Sequence, residues 1–76
     1  MRAVITYEGR EAGVVREALR PEAGREIPKA QVSIQGDGDS LIIHVVAEDT
    51  PALRAAVNSY LRWAQVALDV NRTVRA

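Results

Sequence analysis

Residues 47–63 read Ala47-Glu48-Asp49-Thr50-Pro51-Ala52-Leu53-Arg54-Ala55-Ala56-Val57-Asn58-Ser59-Tyr60-Leu61-Arg62-Trp63, and the run decides the fold. It closes a strand, caps a helix, and then gives that helix more apolar surface than one small domain can bury. Thr50 has the short hydroxyl side chain of an N-cap. Pro51 suits the first helical position, where a backbone amide would have no partner inside the helix. Glu48 and Asp49 place negative charge at the positive end of the helix dipole. Neither glycine nor proline follows Pro51, so the spacing predicts a helix of roughly five turns.

At about 100° per residue, Leu53, Val57, Tyr60, Leu61, Ala64 and Leu68 share one stripe, the pattern of a helix lying on a core. Ala56, Ser59, Trp63, Val66 and Val70 form a second stripe beside it. Arg54, Asn58, Arg62, Gln65, Asp69 and Arg72 fill the narrow polar sector that remains. One sheet covers the first stripe and hardly both, so the second reads as a docking surface. The competing reading is that Trp63 merely lies over the edge of the sheet. Burying an aromatic side chain is worth roughly 2–3 kcal/mol, which favours a partner over leaving the indole in water.

Upstream, Arg2 to Tyr7 alternates as a strand, with Ala3, Ile5 and Tyr7 on one side and Val4 and Thr6 on the other. Gly9 ends it. Arg10 to Arg20 has helical spacing, with Ala12, Val15, Ala18 and Leu19 on one face. Gly13 weakens that helix by roughly 1 kcal/mol, and Pro21 is expected to close it. Pro21 to Pro28 is then a charged loop. Lys29 to Gln35 alternates Ala30, Val32 and Ile34 against Gln31, Ser33 and Gln35, as a half-exposed strand does. Gly36-Asp37-Gly38-Asp39 has hairpin-turn chemistry. Leu41 to Ala47 is apolar on both sides, which marks a central strand.

The expected fold is α+β, a single domain over residues 1–76 in the order β-α-β-β-α. A right-handed crossover leaves a gap between the first two strands, and the third fills it antiparallel to both. Two helices then cover one face of a three-stranded sheet, an arrangement resembling KH-like domains. The opposite face carries Val4, Thr6, Ile42, His44 and Val46, an apolar and polar mixture that reads as a homodimer surface. An ordinary solvated sheet face is the alternative.

A chain of 76 residues buries only about 60% of its unfolded surface, and without cysteine no disulfide reinforces it. Association is the natural supplement. Ten basic and ten acidic residues cancel, against a strongly basic nucleic-acid binder. No apolar run approaches ~18 residues and no signal-peptide pattern opens the chain, so no membrane contact and a cytoplasmic location are expected.

Catalysis has little to build on. A triad would need the lone His44 beside Ser33, Ser40 or Ser59, and a mid-strand histidine is far more often a packing or interface residue. Asp37, Asp39 and Ser40 resemble part of a calcium loop but lack its later glutamate. Gly9, Gly13 and Gly36 do not have the spacing of a phosphate-cradling loop, and no His or acid cluster has metal-ligand spacing. No enzyme, metal or cofactor is expected. Arg54, Arg62 and Arg72 on the long helix, Arg75 behind them, and Arg20, Arg25 and Lys29 around the charged loop serve solubility or an accessory phosphate contact.

Ala18-Leu19-Arg20-Pro21-Glu22 at the end of the first helix, and Ala47-Glu48-Asp49 leading to Arg54, Asn58-Ser59 and Leu61 on the second, carry a resemblance over nearly the whole chain. The sequence resembles the Pcc-type small subunit of the KEOPS (EKC) complex, archaeal form. The resemblance implies a homodimer whose helices dock on the threonylcarbamoyl-transferase subunit. With a kinase/ATPase subunit and an accessory protein, that subunit makes threonylcarbamoyl-adenosine in tRNA. It also implies that the small subunit has no chemistry of its own and meets tRNA indirectly or by accessory contact. On this chain the docking residues would be Arg54, Asn58 and Ser59, with Arg62, Trp63 and Val66 added from the helical wheel; Leu61 is expected to pack inward. A stand-alone KH-like RNA-binding module is the alternative, weakened because no Gly-x-x-Gly clamp occurs between two helices. A metabolite-sensing regulatory domain is a third reading.

Overall fold

The computed structural model describes residues 1–23 and 27–75, with side chains up to residue 70. Its elements are β1 (Arg2–Glu8), α1 (Ala12–Ala23), β2 (Ala30–Gln35), β3 (Ser40–Ala47) and α2 (Thr50–Arg75). The sheet order is β1-β3-β2, and β3 is antiparallel to both neighbours. The α+β class, the element order and the central position of the third strand are those the alternation predicts. Arg25 and the side chains of Arg72 and Arg75 lie outside the described residues.

The core forms where the inward side of β3 meets both helices. Leu41, Ile43 and Val45 are fully buried together with Val15 and Leu19 of α1 and Tyr60 of α2. Ala12, Ala56 and Ala64 complete the cluster, and Ala3, Ile5, Val32 and Ile34 flank it from the outer strands. Burying each large aliphatic side chain contributes about 1.5–3 kcal/mol. All of them come from alternate strand positions or from one helix face.

Five local readings need correction. The cap of α2 is Asp49, not Thr50. Its carboxylate accepts the Ala52 amide at 2.8 Å, and its carbonyl accepts the first helical hydrogen bond, from Leu53, at 3.0 Å. Thr50 sits inside the first turn and donates its hydroxyl to Met1 Sδ at 3.0 Å. A carboxylate cap also meets the dipole with a full charge, which a hydroxyl lacks.

The helix α1 begins at Ala12 and runs through Pro21 to Ala23. Proline removes one amide donor but keeps a helical φ, and the fully buried Leu19 holds the preceding turn in place. Ala18, expected on the inner face, is exposed. Lys29 belongs to a turn rather than to β2. The Ala30 amide donates to the Ile27 carbonyl at 3.1 Å, and Lys29 has φ +61° after Pro28. Proline followed by a positive φ is the pattern of a type II turn, here with lysine at the usual glycine position.

The fifth correction concerns the rotation of α2. Ala56, Tyr60 and Ala64 are its buried row, which lies between the two predicted stripes. Ala56 is therefore core, while Leu61 stands 42% exposed. Small alanines above and below Tyr60 let the helix approach the sheet with the ring between them.

Candidate docking surfaces

The rotation of α2 leaves apolar side chains on both of its flanks. Leu61 lies on one, Val66 and Val70 on the other, the latter two 53% and 58% exposed. Trp63 is half-buried and packs edge-to-face on Tyr60, with ring centroids 5.1 Å apart at 70°. Such a pair is worth about 0.5–1.5 kcal/mol beyond its buried area. The indole thus anchors the helix with one side and keeps the other in reach of solvent. Ser59 beside it is half-buried.

Arg54, Asn58 and Arg62 follow at four-residue intervals and are all exposed. They form a polar row on the back of the helix, next to the Val66 flank. The six predicted docking residues therefore occupy one continuous half of the helix surface. Leu61 falls on the other flank, and its position on the wheel at the border of the first stripe was the signal for that. Gln65 Nε2 donates to Asp69 at 3.0 Å along the polar side.

The second surface is the sheet face turned away from the helices. Strand register places Val4, His44 and Ser33 on one level and Thr6, Ile42 and Gln35 on another. Val4 and Val46 are 54% and 48% exposed, Ile42 and His44 are half-buried, and Thr6 is exposed. The five predicted residues are thus contiguous across β1 and β3. His44 sits between Val4 and Ser33 and away from any carboxylate on its own level.

Elsewhere the polar groups are absorbed by structure. The Ser40 amide donates to the Asp37 carbonyl at 2.9 Å and the Gly9 amide to the Asp39 carbonyl at 2.8 Å. Arg16 Nη1 donates to the Ser40 and Gly38 carbonyls at 2.8 and 3.2 Å, tying α1 to that turn. Among the described residues no three His, Cys, Asp or Glu side chains converge as metal ligands do. None of the described helices is long and apolar enough to cross a membrane. The Tyr60 hydroxyl is buried with no hydrogen-bond partner among the described residues. Burial, and then the nearby negative charge of Glu22, hold its pKa above the ordinary value of 10.0.

These features define a class: a small α+β domain with its core between a sheet and two helices, and apolar side chains left on the outside of both layers. The family model described as "Transcription factor Pcc1" matches residues 2–72, and the chain belongs to that family. A curated relative, "KEOPS complex subunit Pcc1" of Pyrococcus abyssi, is 43% identical over 42 residues. The aligned segment covers 55% of this chain and 51% of the relative, about half the length of each. The resemblance read from the helix ends and the Ala47–Asp49 entry is borne out.

Proposed function

We propose that this chain is a non-catalytic, dimerising scaffold subunit of a KEOPS-type complex, acting as one domain in the cytoplasm. In this reading α2 docks on the threonylcarbamoyl-transferase subunit through Arg54, Asn58, Ser59, Arg62, Trp63 and Val66. Through that subunit it is linked to the kinase/ATPase and the accessory protein, and so supports formation of threonylcarbamoyl-adenosine in tRNA. The outer sheet face, with Val4, Thr6, Ile42, His44 and Val46, joins two copies.

The observation that carries the reading is the exposure of large aliphatic side chains on both layers: Leu61, Val66 and Val70 on α2, Val4 and Val46 on the sheet. Scattered exposed aliphatics are ordinary, whereas neighbouring ones on two separate layers, Val66 with Val70 and Val4 with Val46, suit an adaptor. Family membership and the printed name of the curated relative support the same reading. Light scattering of the chain alone and mixed with the transferase subunit tests it, with a dimer and a mixed complex expected. Val66→Asp places a charge on the docking flank without touching the core and is expected to abolish co-purification. Unchanged co-purification would remove α2 from the interface.

A further inference from the structure

The turn between β2 and β3 sets an aspartate before a glycine, Asp37-Gly38, and both residues are exposed. The Ser40 amide donates to the Asp37 carbonyl at 2.9 Å, which makes Gly38 and Asp39 the central residues of the turn. Gly38 has φ +54° and Asp39 does not share the positive sign, the pattern of a II′ hairpin turn. A Cβ built on Gly38 would find nothing within 4 Å, so the glycine leaves its own amide unscreened. Among the described residues that amide donates to no acceptor, and the Asp37 carboxylate has neither an ion pair nor a hydrogen bond.

A free carboxyl group beside a free amide is the arrangement from which a peptide chain closes on itself, and glycine offers no Cβ to hinder the attack. The Gly38 nitrogen attacks the Asp37 Cγ. The N–Cγ bond forms, and one carboxyl oxygen leaves as water with the amide proton and a proton from solvent. Water then breaks one of the two C–N bonds of the resulting cyclic imide. Cleavage at Cγ returns aspartate, whereas cleavage at the former main-chain carbonyl leaves the chain running through Cβ and Cγ as isoaspartate. The other three aspartates are each blocked. After Asp39, the Ser40 amide is held by the Asp37 carbonyl. The Asp49 carboxylate caps α2 and that of Asp69 accepts from Gln65, and a stiff β-branched residue of the helix follows each.

We propose that Asp37-Gly38 is a site of spontaneous backbone isomerisation, and that its isoaspartate product unties the turn from α1. The extra methylene lengthens a turn whose residue count sets the strand register. The carbonyl that held the Ser40 amide becomes a carboxylate standing off the chain. The Gly38 and Ser40 carbonyls, which accept from Arg16 at 3.2 and 2.8 Å, shift with the turn. The Gly9 amide, bonded to the Asp39 carbonyl at 2.8 Å, loosens with them. The new α-carboxylate is the group that a carboxyl methyltransferase specific for isoaspartate recognises, which gives the product a class of partner.

The test keeps the folded full chain at neutral pH for weeks and then digests it with trypsin, which releases residues 30–54 as one fragment. Isoaspartate is located by fragmentation and counted by methyl transfer from S-adenosylmethionine with an isoaspartyl carboxyl methyltransferase. It is expected at Asp37, together with an imide one water lighter than the parent. Asp37→Glu keeps the charge and, with circular dichroism unchanged, is expected to lose both signals, because glutamate closes a larger ring more slowly. In the isomerised fraction, hydrogen exchange is expected to quicken at the Ser40 and Gly9 amides. No isoaspartate in the folded chain, or isoaspartate confined to Asp39 or Asp49, overturns the site. Signals that persist in Asp37→Glu do the same. Isomerisation without faster exchange at those amides overturns the untying and leaves the site standing.

Discussion

The carboxylate of Asp49 accepts the amide of Ala52 at 2.8 Å, so the long helix starts one residue earlier than its Thr-Pro sequence suggests. The same carboxylate lies 3.7 Å from Lys29 Nζ at the entry to β2. That exposed pair adds little stability. The cap, in contrast, satisfies an amide that has no other partner in the first turn.

Asp49→Ala is accordingly expected to destabilise the fold by about 1 kcal/mol. Thr50→Ala, which loses only the contact to Met1 sulfur, is expected to change stability by less than about 0.5 kcal/mol. Urea denaturation of the two variants checks this. The reverse ranking would return the cap to Thr50.

Two glycines should respond in opposite directions. A Cβ at Gly13 would meet the Gly38 carbonyl oxygen at 3.6 Å, an ordinary contact, so Gly13→Ala is expected to stabilise α1 by about 0.5–1 kcal/mol. A Cβ at Gly36 would lie 2.5 Å from the Ser40 carbonyl oxygen, on a backbone with φ +125°. Gly36→Ala is expected to lose about 2 kcal/mol or more. Thermal midpoints of both variants give the signs directly.

Arg16 is the strut between α1 and the β2–β3 turn. Arg16→Met keeps the aliphatic stem but removes both carbonyl contacts, with an expected loss of about 1–2 kcal/mol. Hydrogen exchange should quicken first at the Ser40 amide, whose acceptor is the Asp37 carbonyl. Global destabilisation with unchanged relative exchange there would mean that the strut does not hold the turn.

Tyr60 gives the fold an alkaline limit. The unfolded tyrosine ionises at its ordinary value of 10.0, while burial and Glu22 hold the folded one above it. Above about pH 10 the unfolded state therefore binds fewer protons, and stability falls as pH rises. Tyr60→Phe removes that slope and, because the hydroxyl is unpartnered, is expected to stabilise the neutral-pH fold by up to about 1 kcal/mol. Denaturant midpoints from pH 8 to 11, with Tyr7→Phe as the control, test both statements.

The strands were legible because alternation leaves only two choices of face, and Ala3, Ile5, Tyr7, Val32 and Ile34 choose the same one. The rotation of α2 was not. Its apolar arc is so wide that helical periodicity alone accepts a range of phases. The choice came from size: Ala56 and Ala64 fit close to β3 where Leu61 and Val66 do not. Pro21 was misread for a related reason, since its penalty is local while Leu19 is fixed by the core. The residues proposed for docking on α2 were legible as one contiguous surface, because Arg54, Asn58 and Arg62 follow a plain four-residue interval.

The 26 residues of α2 extend about 39 Å, whereas the eight residues of β3 reach only about 27 Å. Among the described residues the last fully buried position on the helix is Ala64. Its final turns therefore project past the sheet like a spar beyond a hull. In the docking reading proposed above, a substitution at Val70, 58% exposed, retunes grip on a neighbour while the buried residues of the core stay packed. In that reading, affinity is tuned at one end of the molecule, apart from the packing that folds it.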